Sequence, residues 1–284
     1  MHSFTYHRAS SLAEAEQLLL ANPDAKLLAG GMSLMPMMKL RLAQASDIID
    51  LGYLPELCGI KQLGDHLIIG AMTTHAVVAG SALVKEKIAG ISDLAGGIGD
   101  PHCRNRGTIG GSLAHCDPAA CYPSGVLSLD GIIVTNRREI AADAFFVGAF
   151  ETALEPGEIV IAVKLPIPEM AAYIKFIQPA SRFSIVGVFV SRNKGRARVA
   201  VTGAKLGVFR VAEIEKALED DFSPQAIDGI QVSDRDLATD IHARADYRAH
   251  LIPVLARRAV LSCLERKRRG GGNMSIHFDG FTNN

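Results

Sequence analysis

Two glycine pairs, Gly30-Gly31 and Gly110-Gly111, constrain this chain more than any other feature. The first follows an apolar run, in LLAGGMSLMPMMKLRL at residues 27–42. The second sits in RNRGTIGGSLAHCDPAA at residues 104–120. Glycine has no Cβ and tolerates positive φ, so such a pair either makes a turn or lets a ligand approach the backbone. Convergent N–H groups form a concave anion site. Two loops of this kind, each followed by a serine hydroxyl (Ser33 and Ser112), would grip a diphosphate from opposite sides.

Neither pair has the spacing of the dinucleotide fingerprint or the P-loop. GMSLMPMMK lacks the Gly-Lys-Ser/Thr ending, and Lys39 follows no second glycine. That disfavours a Rossmann hydride enzyme and an ATPase. With 284 residues, about two domains are expected. Thirty basic and thirty acidic side chains cancel, so no field selects nucleic acid or an anionic membrane. No apolar run approaches the ~20 residues of a membrane span, and MHSFTYHRASS lacks the apolar core of a signal peptide. The five cysteines are odd in number, scattered and without a C-x-x-C, which argues against a disulfide framework or a metal site. These features predict a cytoplasmic globular protein.

Periodicity places the elements. Ser11 to Glu14 has capping-box spacing, so AEAEQLLLA reads as a helix stopping near Asn22-Pro23. AKLLAG reads as a buried strand and DIIDL as another, a small α/β lobe. GIKQLGDHLIIGA reads as a hairpin turning at Gly64-Asp65, and GIIVTN and GEIVIAVKLP as further strands. THAVVAG, KEKIAGISDLAGGI and AACYPSGVLSLD read as helical. AAYIKFIQ, FSIVGVFVSR and ARVAVTGAKL read as a three-stranded antiparallel sheet, with Asn193-Lys194-Gly195 as a hairpin turn. VAEIEKALE and a long helix over about 247–268 follow, its basic ERKRR end suiting a helix C-terminus. The fold class is α+β.

Together these stretches resemble the FAD-binding medium subunit of molybdenum hydroxylases, the family of xanthine dehydrogenase and aerobic carbon monoxide dehydrogenase. AGGMSLMPMMKLRLA resembles its first flavin motif, and DPHCRNRGTIGGSLAHCDPAACYPSGVLSLD its second. FFVGAFETALEPGEIVIAVKLP, AAYIKF and ADYRAHLIPVLARRAV continue the likeness in order, over about residues 1–268. The resemblance implies a two-lobed FAD-binding domain of the vanillyl-alcohol oxidase (PCMH) type at 1–170, with lobes at about 1–55 and 56–170. A C-terminal α+β domain at 171–270 and a tail at 271–284, disordered or docked on a partner, complete it.

By motif match, Lys26, Leu28, Ala29, Gly30, Gly31, Met32, Ser33 and Leu34 line one wall of the FAD site. Thr108, Gly110, Gly111 and Ser112 form the other, with Asp117 and Cys121 in the loop that continues the motif. Leu165 and Lys175 match positions near the isoalloxazine, and Lys175 or Arg104 is the cation expected to stabilise the reduced ring. No side chain is expected to be catalytic, because the flavin carries the chemistry. The resemblance further implies a molybdenum cofactor on a large partner subunit and two [2Fe–2S] clusters on a small one. The assembly would be a dimer of heterotrimers whose electrons pass through FAD to an external acceptor. Cys121 stands where the family usually has an acid holding the adenosine ribose. Losing that charge-assisted hydrogen bond costs ~1.5–3 kcal/mol, about tenfold to a hundredfold in affinity. A flavin-free scaffold and a stand-alone NAD(P)H-dependent flavin reductase are the rival readings.

Overall fold

The computed structural model describes residues 1–269. The 271–284 tail lies outside the described residues. Three sheets carry most of the chain. The N-terminal sheet is parallel, with strand order Thr5–Arg8, Asp47–Asp50, Lys26–Leu28. Helix Leu12–Ala21 makes the crossover between the first strand and the third, and Ser11 caps it by accepting from the Glu14 N–H. Glu14 reaches back one residue further than a capping box requires, to the Ser10 N–H and hydroxyl. The Lys26–Leu28 strand is an exposed-to-half-buried edge, not the fully buried strand its apolar run suggests.

The second sheet is antiparallel, in the order Ile60–Leu63, His66–Gly70, Val160–Pro166, Ile132–Thr135, Glu139–Ala141. Its first two strands are the expected hairpin, with Gly64 at φ +58 in the turn. Helices Ala89–Gly96, Ile109–His115 and Tyr122–Ser128 pack with this sheet around one core.

The third sheet contains the three expected antiparallel strands, Met170–Ile177, Ser184–Asn193 and Arg196–Thr202, and a short fourth, Phe209–Arg210. Lys194 and Gly195 both take positive φ between the paired Asn193 and Arg196, the geometry of a type I′ hairpin. Side chains alternate across this sheet. Ala171, Tyr173, Phe189 and Ala200 join the core of the second sheet. Ala172, Val188, Val190, Val199 and Val201 face helices Ala212–Asp220 and Ala245–Arg268. Burial on both sides explains why IVGVFV, residues 185–190, is an unbroken apolar run.

Candidate functional site

The first glycine loop leaves the edge of the N-terminal sheet after Leu28. Gly31 sits at φ +72, and helix Leu34–Lys39 starts at Ser33. The Ser33 side chain makes no capping bond and is exposed, so its hydroxyl is free. Among the described residues, the N–H groups of Gly30, Gly31, Met32 and Ser33 find no protein acceptor. Ser33 is the N-cap of that helix, and the other three amides lie in the loop that precedes it.

The second loop is fixed by a short antiparallel ladder. Thr74 bridges Thr108, the His75 N–H donates to the Gly107 carbonyl at 2.9 Å, and the Ile109 N–H donates to the Thr73 carbonyl at 3.1 Å. The Gly110 N–H donates to the Ala71 carbonyl at 2.8 Å, and a Cβ on Gly110 would meet the Ala71 Cβ at 2.5 Å. Gly110 therefore serves close packing, with its donor spent inside the protein. Thr108 caps helix Ile109–His115, accepting from the Gly111 N–H at 3.1 Å, and the Ser112 N–H donates to the Thr108 carbonyl at 3.0 Å. This wall offers a diphosphate the Ser112 hydroxyl and the Gly111 edge rather than three free amides.

The two loops touch. A Cβ on Gly30 would lie 2.1 Å from the Arg106 carbonyl oxygen and 2.7 Å from the Gly107 Cα. A Cβ on Gly111 would lie 3.3 Å from the Ala29 Cβ. Glycine is thus required at 30 for backbone-to-backbone approach. Lys26 is exposed on the edge strand, Leu28 packs beside Met38 and Ile48, Met32 is exposed and Leu34 is half-buried.

Beyond the second loop, the Asp117 carboxylate accepts from the Ala119 N–H at 2.8 Å. Cys121 is buried, with its sulfur 3.6 Å from Lys175 Nζ and 3.5 Å from Ser184 Oγ. Lys175 also donates to the Gly97 carbonyl at 2.7 Å and the Arg182 carbonyl at 2.9 Å. Arg104 donates to the Ile98 and Gly99 carbonyls, both at 3.1 Å. The two cations expected at a flavin ring both hold carbonyls of the 97–99 turn. Leu165 is fully buried in the central strand, against Gly131.

His75 lies beneath the second loop, its ring against Gly107 and 5.3 Å from the Tyr122 ring. Burial, with a smaller effect from the Arg104 charge, holds its pKa down to about 4, so the imidazole is neutral near pH 7. Burial likewise raises the Tyr122 phenol. Sequence reasoning missed Ala71, Thr73, His75, Arg106 and Gly107. Only the Thr-Thr-His start of a helix, after a strand, hints at the ladder.

One loop presents free amides and the Ser33 hydroxyl, the other the Ser112 hydroxyl, and the two are in contact; these residues fit a dinucleotide diphosphate. Comparison with known proteins gives the lineage. Residues 2–168 match the FAD-binding domain of molybdopterin dehydrogenases. The nicotine 6-hydroxylase medium subunit of Paenarthrobacter nicotinovorans is 36% identical over 270 residues, covering 90% of this chain and 95% of that protein. The carbon monoxide dehydrogenase medium chain of Hydrogenophaga pseudoflava is 34% identical over 274 residues, covering 90% and 96%. A solved carbon monoxide dehydrogenase from that organism superposes with a TM-score of 0.84 at 32% identity, covering 93% of this chain and 98% of the other. The chain belongs to the FAD-binding medium-subunit family of molybdopterin dehydrogenases. Among the described residues, no helix is long and apolar enough to cross a membrane.

Proposed function

We propose that this chain is the FAD-carrying electron-transfer subunit of a multi-subunit molybdenum hydroxylase. When bound, the flavin supplies redox chemistry between [2Fe–2S] clusters on a small partner subunit and an external acceptor. The molybdenum cofactor belongs on a large partner, in a cytoplasmic dimer of heterotrimers.

The chain's own residues bind and orient. The amides of Gly30, Gly31, Met32 and Ser33 and the hydroxyls of Ser33 and Ser112 would hold the diphosphate. Ala29 and Thr108 shape the cradle, and Gly111 keeps it open. Lys175 and Arg104 fix the 97–99 turn. The reading takes residues 1–170 as a PCMH-type domain with lobes at about 1–55 and 56–170, and 171–270 as the C-terminal domain. That boundary falls just after the first residue of strand Met170–Ile177, past the end of strand Val160–Pro166.

One observation carries the reading: Gly30 abuts the Arg106–Gly107 backbone so closely that a Cβ there would lie 2.1 Å from a carbonyl oxygen. The test is a visible spectrum of the purified chain, followed by titration with FAD. Flavin absorbance that stays with the protein, or saturable FAD binding, is the expected result. A colourless protein that takes up no FAD would establish the scaffold reading instead. NAD(P)H oxidation by the chain without its partners would favour the reductase.

A further inference from the structure

Cys121 and Lys175 come from distant parts of the chain, yet their reactive atoms lie 3.6 Å apart. The sulfur is nearly enclosed, 6% of Cys121 being exposed, and Ser184 Oγ lies 3.5 Å away. Ser184 is held in turn by the Tyr173 hydroxyl at 3.1 Å. Lys175 is anchored on its other side by the carbonyls of Gly97 and Arg182. No carboxylate contacts the Lys175 ammonium among the described residues. A thiol and an amine are thus held in contact, with the thiol residue almost wholly buried and Lys175 half-buried.

We propose that this pair is an oxidative modification site, at which peroxide joins Cys121 to Lys175 through a sulfur–nitrogen bond. The thiol sulfur attacks hydrogen peroxide. Its O–O bond breaks, one oxygen leaves as water, and Cys121 becomes a sulfenic acid, the first rung of cysteine oxidation and one that condenses with nitrogen. Lys175 gives up a proton to solvent, and its neutral nitrogen then attacks the sulfur. The S–N bond forms, the S–O bond breaks, and a second water leaves. In sum, one thiol, one ammonium and one hydrogen peroxide give one sulfenamide, two waters and a proton. Sulfur is oxidised by two electrons and the peroxide oxygens are reduced by two. Two equivalents of an external thiol reverse the link, returning Cys121 and Lys175 and leaving a disulfide.

The link removes the Lys175 charge and draws its nitrogen away from the Gly97 and Arg182 carbonyls, loosening both turns. It stands on these contacts alone and needs no bound flavin to form, so it succeeds or fails separately from the proposed function.

The test treats the folded chain with hydrogen peroxide, digests it and measures peptide masses, with the exposed Cys58 as internal control. The expected product is a Cys121 peptide joined to a Lys175 peptide, about 2 Da below their summed mass, and split by dithiothreitol. In Lys175→Met the link disappears and Cys121 oxidises further, to sulfinic acid. Two results would overturn the proposal. One is wild-type Cys121 recovered as free thiol once Cys58 is fully oxidised. The other is wild-type Cys121 carried to sulfinic acid while Lys175 stays unmodified.

Discussion

At the scale of single residues, two positions separate packing from binding. Gly30 has backbone against it on the side a Cβ would occupy, whereas Gly80, at the end of its helix, has nothing within 4 Å. Gly30→Ala must push the loops apart, an overpacking cost of roughly 1–3 kcal/mol. It should weaken FAD binding by about tenfold or more, read by titration. Gly80→Ala should leave FAD affinity unchanged and stability equal or up to ~1 kcal/mol higher.

His75 makes a pH prediction. Its folded pKa, about 4, lies below the ordinary 6.5. Between those values the unfolded chain binds more protons, so stability rises with pH across this window. The His75 contribution is complete above 6.5 and is lost as pH falls to about 4. The span is worth roughly 3 kcal/mol, an order-of-magnitude figure from the shift. Urea unfolding of wild type and His75→Phe, at pH 7 and pH 4.5, should show the variant losing less stability on acidification. Equal losses would mean that the ring is not buried as a neutral imidazole.

At the scale of elements, helix Ala245–Arg268 is tied to the third sheet by one buried guanidinium. Arg248 Nη1 donates to the Ile185 and Gly203 carbonyls, both at 2.6 Å, and Nη2 to Asp240 at 2.7 Å. Arg248→Met leaves two carbonyls without that donor and should cost roughly 2–4 kcal/mol, read in denaturant unfolding. If the variant were as stable as wild type, the helix would be held by apolar contacts alone.

These elements also show what was legible in the sequence. The third sheet was readable because its strands are long, apolar and separated by Lys194-Gly195 and similar turn residues. Strand Thr5–Arg8 was not, since TYHR has no buried face to impose a period. Strand Phe209–Arg210 has only two residues and exists by pairing with Ala200 and Val201. Helix Pro101–Arg106 carried a signal that went unread, an Asp100 cap followed by proline at the first turn. In the site, the glycine pairs were visible as motifs. The ladder joining residues 73–75 to 107–109 was not, because a bridge between distant segments leaves no local pattern. For the same reason sequence reasoning did not show that Gly110 spends its N–H on Ala71, or that Leu165 lies wholly in the core.

At the scale of the whole molecule, the cradle spans two sheets that share no strand: one wall leaves the parallel sheet, and the other is held by the antiparallel one. A ligand gripping both walls stabilises the chain as a unit. Free FAD at a hundred times its Kd should raise unfolding stability by about 2.7 kcal/mol. Riboflavin, which lacks the diphosphate, should give much less at the same concentration. Equal stabilisation by the two would place the binding energy on the ring.

A crystal structure of the chain with FAD would locate the diphosphate. Diphosphate oxygens should lie at hydrogen-bonding distance, roughly 2.7–3.2 Å, from amide nitrogens in the Gly30–Ser33 loop, with the Ser112 hydroxyl on the opposite side. A diphosphate seated elsewhere, with those amides turned to solvent, would contradict that placement.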